Sequence, residues 1–250
     1  MNKINILGIN ISAGSRSEIL AKIQEFLAND RQHFIITPNP EIILAAVKDQ
    51  ELFDIINEAD LAIPDGVGLK LAGWLAGENL HRLTGADLLK EILALAEAQG
   101  RRVAILNWQS GLSSVQDIKQ SLAKNYPGLK FIAINLERQT AIPEPAKEQA
   151  REFMPEIIFC TLGAPYQEKF IFQALPKLPS VRIAMGVGGA FDFLTGRIIR
   201  APKILRAVGL EWLWRLIKQP WRWRRIYNAV IVFPLKFILW RLKMATKIIN

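Results

Sequence analysis

The stretch EIIFCTLGAPYQEKFIFQALPKLPSVRIAMGVGG, residues 156–189, holds the pattern that decides the fold. EIIFCTL is a short apolar run ending at a glycine. YQEKFIFQAL carries helical spacing, and VRIAMGV is a second apolar run ending in glycines. An apolar run, a helix and another apolar run of this length read as a right-handed βαβ crossover. Strands without polar alternation are expected where both faces of a parallel sheet are covered.

Working outward, the same alternation fills the chain. KINILGINI reads as a first strand, and SRSEILAKIQEFLAND as a helix with Ser15 and Glu18 at capping-box spacing. HFIIT (33–37) and DLAIP (60–64) are strands, each followed by a helix, NPEIILAAVKDQ and GVGLKLAGWLAG. TGADLLKEILALAEAQG is a helix with Thr84 as its N-cap. RVAIL, SVQDIKQSLAKNY, LKFIAI and PEPAKEQAREF continue the alternation. The expected fold is α/β: a mostly parallel, Rossmann-like sheet with helices on both faces.

In such sheets ligands bind beyond the C-terminal strand ends. Thr37 ends one strand, and Asn39 and Pro40 are good N-cap and first-turn residues, so free backbone N–H groups should face the crevice there. Asp65 ends the next strand, before a glycine that lets a ligand approach, and is a candidate general base. Gly163 opens a turn that leads to Gln167 and Lys169, and Gly188–Gly189 open another. Each turn alone also reads as an ordinary capped βα turn. Four together point to a crevice.

Residues 197–250 differ in kind. They hold 13 Lys/Arg and one acid, Glu211, so they carry +12 of a chain whose net charge is +9, which leaves −3 on residues 1–196. Five of the seven Trp lie there too. Cations interleaved with Trp suit a phosphate-rich, partly apolar partner, either an anionic membrane surface or a nucleic acid. The expected division is a catalytic domain over 1–196 and a basic, Trp-rich helical appendage over 197–250. At 100° per residue Arg222, Arg225, Lys236, Lys243 and Lys247 share one stripe, although Pro234 would kink it. No apolar run reaches about 18 residues, and MNKINILGIN is too short for a secretory signal. A cytoplasmic protein, peripheral on the inner face of the membrane, fits these limits.

Other chemistries lack their signatures. GxGxxG opening the first helix, GxxxxGK[ST] and GxSxG are absent, which argues against a dinucleotide dehydrogenase, a P-loop enzyme and an α/β-hydrolase. With no DxD and only two His, no metal or other cofactor is expected. Cys160 in EIIFC reads as a buried structural thiol.

TPNPE (37–41), PDGVG (64–68), HRLTGADL (81–88), GAPYQEKF (163–170) and GVGGAFDFLTGRIIRAP (186–202), followed by GLEWLWRL (209–216), resemble in order the motifs of the WecG/TagA/CpsF glycosyltransferases. The resemblance spans most of the chain. It implies inverting transfer of a sugar, typically N-acetylmannosamine, from a UDP-sugar to an undecaprenyl-diphosphate-linked N-acetylglucosamine. It implies Asp65 as base and Thr37, Asn39, Arg82 and Gln167 in the pocket. The basic tail matches the region that would touch the membrane and close over the nucleotide. Without a metal, cations must meet the leaving diphosphate, and Arg82 and the tail arginines Arg215, Arg222 and Arg225 are the candidates, with a solvated or lipid-facing role the alternative for any one tail arginine. A homo-oligomer is possible, and nucleic acid is not an expected partner. The chain departs from the motifs at Leu106–Gly111 and Asn135–Thr140, where nucleotide contacts would fall, so the donor's identity stays open. Two rivals remain: a nucleic-acid-binding module, and a catalytically silent nucleotide-binding scaffold at the membrane.

Overall fold

The computed structural model describes residues 1–78, 80, 81 and 83–249. The chain opens with β1 (Asn2–Ile6) and β2 (Ile9–Ala13), followed by α1 (Arg16–Ala28). Next come β3 (His33–Ile36), α2 (Pro40–Ala46), α3 (Gln50–Glu58), β4 (Leu61–Ala62), α4 (Val67–Leu75) and α5 (Gly85–Ala98). The second half holds β5 (Arg102–Trp108), α6 (Val115–Asn125), β6 (Lys130–Leu136), α7 (Glu144–Phe153), β7 (Ile157–Cys160), α8 (Tyr166–Ala174) and β8 (Ile183–Gly186). Short α9 (Ala190–Leu194) leads into the tail: α10 (Lys203–Ala207), α11 (Glu211–Lys218), α12 (Trp223–Tyr227) and α13 (Phe233–Ile249).

Strands β3 to β8 form one six-stranded sheet in the order β4-β3-β8-β7-β5-β6. All of its pairings are parallel. Side chains alternate between two cores. Phe34, Ile36, Leu106, Ile158 and Cys160 enter one, with α2, α3, α4, α7 and α8. Ile35, Val103, Ile105, Phe159 and Met185 enter the other, with α1, α5, α6 and α9. Burial on both faces explains why these strands read as unbroken apolar runs. Cys160 is fully buried, and burial pushes its thiol up to about 12.

Two elements differ from the sequence reading. KINILGINI is not one strand but the β1–β2 hairpin, which forms its own antiparallel two-stranded sheet. Leu7 and Gly8 both take positive φ (55° and 87°), the backbone of a two-residue hairpin turn. That turn keeps Ile4, Ile6, Ile9 and Ile11 together in the first core. The helix begun by NPE also stops at Ala46. Asp49 then starts α3 by accepting a hydrogen bond from Leu52 N at 3.1 Å.

The tail is helical, as its composition suggested, but not one continuous helix. A 3₁₀ turn at Pro220–Arg222 and a π turn at Asn228–Val232 interrupt it before Pro234. The 100° projection therefore loses register between Arg222 and Lys236, so the expected stripe does not form as drawn; the Lys247 side chain lies outside the described residues. Among the described residues no helix is long and apolar enough to cross a membrane. Phe233 and Phe237 are each 1% exposed and join the first core, with Phe237 and Trp240 ring centroids 6.0 Å apart.

Because Phe237 is buried with the sheet's own core residues, Phe237→Ala should destabilise the whole fold by about 3–5 kcal/mol. Urea unfolding followed by far-UV circular dichroism checks this. A tail that contributes nothing to the body's core would leave the midpoint unchanged.

Candidate active site

The C-terminal ends of β3, β4, β5, β7 and β8 open into one cavity of about 710 Å³. Thr37, Asn39, Asp65 and Gln167 line it, and so do Arg215, Arg222 and Arg225 from the tail. The tail thus forms a wall over the strand ends. Arg82 lies outside the described residues.

Asp65 is held by both its backbone and its carboxylate. Its N–H donates to Pro38 O at 2.8 Å, which ties the β4 turn to the β3 turn. Its Oδ2 accepts from Gly85 N at 3.4 Å, so the carboxylate lies at the positive end of α5. That helix is N-capped by Thr84, as expected, through Asp87 N at 3.1 Å. Thr37 lies behind the same turn, since a Cβ on Gly85 would come within 2.9 Å of its Oγ1. Gly66, at φ 95°, takes a backbone conformation that a side chain would strain. The chain can therefore leave Asp65 and enter α4 directly.

Asn39 caps α2 as expected, with Oδ1 accepting from Glu41 N and Ile42 N at 3.0 Å each. The expectation of free N–H groups is corrected at these two positions, because the cap itself occupies them. Gln167 is 5% exposed and joins the two glycine turns. Its Oε1 accepts from Gly163 N at 3.1 Å and Gly188 N at 2.9 Å, and its Nε2 donates to Glu168 Oε1 at 2.8 Å. A Cβ on Gly186 would meet that amide at 2.6 Å, so only glycine fits beside it. Glu168 behind it is fully buried, and burial pushes its carboxyl up to about 7. Lys169 points elsewhere, to Asp49 at 2.8 Å and Glu51 at 2.6 Å on the far side of α8.

The three expected tail arginines have distinct settings. Arg225 is clamped on Glu41, with Nε and Nη2 contacts of 2.7–2.8 Å. Arg215 reaches Glu211 at 3.4 Å and stands 5.2 Å over the Phe193 ring. Arg222 is drawn into the cavity wall. Burial, then repulsion from Arg225 and Arg215, lowers its pKa to about 10. It stays cationic at neutral pH in a place where an anion would relieve the strain of three clustered guanidiniums.

Several lining residues escaped the sequence reading. Arg200 lines the cavity, held by Nη2 bonds to Asp87 Oδ2 at 2.8 Å and Thr84 Oγ1 at 3.0 Å. Arg138 lies 3.6 Å over the Trp108 ring while its Nε donates to Leu162 O at 2.8 Å. Both Trp108 and Arg138 belong to the segments that depart from the family motifs. Ser113 donates to Asp192 Oδ1 at 2.7 Å, and burial raises the pKa of that carboxyl. Arg200 and Asp192 stand inside the quoted GVGGAFDFLTGRIIRAP, so the motif was the available signal.

A strand-end carboxylate can deprotonate a hydroxyl, and clustered arginines on another wall of the same cavity, Arg222 among them partly desolvated, can stabilise an anionic leaving group. Comparison with known proteins places the chain among glycosyltransferases. The model of the "Glycosyl transferase WecG/TagA/CpsF family" matches residues 4–247. The N-acetylglucosaminyldiphosphoundecaprenol N-acetyl-beta-D-mannosaminyltransferase of Bacillus subtilis (strain 168) is 33% identical over 198 residues, covering 78% of this chain and 75% of the relative. The protein of the same name from Staphylococcus aureus (strain MW2) is 30% identical over 231 residues, covering 90% of this chain and 87% of the relative. The chain belongs to the WecG/TagA/CpsF family of glycosyltransferases.

Proposed function

We propose that this glycosyltransferase moves N-acetylmannosamine, or a related sugar, from a UDP-sugar to undecaprenyl-diphosphate-linked N-acetylglucosamine, with inversion at the anomeric carbon. The observation that carries the reading is the shared cavity, with Asp65 on one wall and Arg222, desolvated beside Arg215 and Arg225, on another. The relatives' names supply the acceptor, the sugar and the β product.

In this reading Asp65 takes the proton from the acceptor hydroxyl as its oxygen bonds to the anomeric carbon. The bond from that carbon to the diphosphate oxygen breaks, and its electron pair leaves with UDP. One direct displacement inverts the centre. Arg222 and Arg215 meet the charge growing on the leaving group, and Arg225 fixes the wall through Glu41. Arg82, named by the family motif, is a further candidate for that role. Thr37 and Asn39 border the sugar-binding region, and Gln167 shapes the two glycine turns around it. The division into a catalytic body over 1–196 and a membrane-associating appendage over 197–250 belongs to the same proposal, as does peripheral attachment at the inner face of the membrane.

Two variants separate these roles. Asp65→Asn should lower kcat about a hundredfold or more with little change in donor KM, because it removes only the base. Arg222→Ala should raise donor KM and lower kcat/KM by about tenfold or more, because it removes a charge that touches the donor's diphosphate. Steady-state UDP release with the lipid-diphosphate acceptor measures both. Near-normal turnover by Asp65→Asn removes Asp65 from the role of base.

A further inference from the structure

Helix α4 reads VGLKLAGWL and starts two residues after Asp65. Its inner side is ordinary, with Leu69 and Ala72 buried in the first core. Its outer side is apolar as well. Val67, Leu71, Trp74 and Leu75 are 37%, 45%, 70% and 44% exposed. Their i, i+4, i+7, i+8 spacing puts them on one face, about 12 Å long at 1.5 Å per residue. The one ionisable side chain in the helix is Lys70, also exposed. A helix that is apolar all round is normally buried in protein or in lipid.

The neighbouring tail repeats this design. Helix α13 lies against α4, since a Cβ on Gly68 would meet the Phe233 ring at 3.7 Å and Ala229 O at 3.6 Å. It turns Phe233 and Phe237 inward and leaves Leu235, Ile238, Leu239 and Leu242 exposed at i, i+3, i+4, i+7. On its other flank α4 meets the α10–α11 joint, where a Cβ on Gly209 would come within 2.8 Å of Val67. The exposed charge of the tail has one sign, and α4 adds an exposed Lys70, with exposed Glu78 just past its C-terminal end. Glu211 is the single acid of residues 197–250 and is buried, whereas Arg224, Arg241 and Lys243 are exposed.

We infer that the outer face of α4 is a second bilayer-docking element, which enters the headgroup–acyl boundary of an anionic membrane together with the tail helices. The occupant is lipid because large apolar side chains, Trp and a tail whose exposed charges are all cations match an anionic interface and mismatch a mixed-charge protein surface. Immersion of α4 brings the mouth of the cavity, at Asp65, to headgroup depth, where the diphosphate of a lipid-linked acceptor lies. The inference rests on the proposed lipid-linked acceptor, and it assigns docking to the catalytic body as well as to the tail.

The test uses Leu71→Cys in the full chain, labelled with an environment-sensitive thiol dye of the NBD type. Buried Cys160, its thiol raised to about 12, stays unlabelled. With phosphatidylglycerol–phosphatidylcholine vesicles, the emission should rise severalfold and shift to the blue in step with co-sedimentation. Co-sedimentation with unchanged emission overturns the assignment of α4 and leaves the tail as the docking element. Absence of co-sedimentation overturns the membrane reading itself. Emission that rises with protein concentration without vesicles assigns the face to a second copy and also overturns the inference. In a second arm, the double variant Leu71→Asp, Trp74→Asp should keep its rate on a water-soluble, short-chain acceptor. On vesicle-embedded acceptor it should lose tenfold or more. An equal loss on both acceptors counts against a docking role.

Discussion

Burial of the sheet on both faces is the constraint from which the rest follows. Two apolar cores, one on each side of β3 to β8, leave the C-terminal strand ends as the place where polar side chains can gather. Asp65, Thr37, Asn107 and the glycine turns accordingly meet in one cavity. The turns are coupled. Asp65 N–H holds the β3 turn through Pro38 O, and Gln167 holds the β7 and β8 turns through Gly163 and Gly188. The charged parts of the site therefore sit on a frame fixed by backbone hydrogen bonds.

The tail supplies what the sheet lacks. Residues 1–196 are net negative, a poor environment for a diphosphate, and the positive wall comes from residues 197–250. Those cations divide between two directions. Arg200, Arg215, Arg222 and Arg225 turn toward the cavity, while Arg224, Arg241 and Lys243 face out. Of the inner set, Arg200, Arg215 and Arg225 are fixed by Asp87, Glu211 and Glu41. The outer set has few local partners and suits a diffuse anionic surface. One basic segment can thus serve both ends of an amphiphilic substrate.

Much of this was legible in the sequence for physical reasons. Runs such as HFII, IIFC and IAMG are apolar at every position because both sides are covered, and Ser15–Glu18 and Thr84 cap helices where local spacing placed them. The failures are equally specific. The β1–β2 turn depends on positive φ at Leu7 as well as Gly8, and Leu gives little warning of it. The tail stripe assumed 100° per residue across segments that adopt 3₁₀ and π geometry. Arg138 over Trp108 and Arg200 on Asp87 arise from contacts 30 and 113 residues apart, which periodicity cannot register. The outer face of α4 passed as ordinary helix, because composition does not say which side of a helix is covered.

The central claim is that one cavity couples a carboxylate base to an arginine-held nucleotide leaving group for transfer to a lipid-linked sugar. The most direct measurement incubates the purified full chain with undecaprenyl-diphosphate-N-acetylglucosamine and a panel of UDP-sugars, then determines product mass and anomeric configuration by NMR. The account predicts one added N-acetylhexosamine in β linkage, with one UDP released per linkage formed. A retained α linkage, or hydrolysis of the donor with no gain of mass on the acceptor, would contradict it.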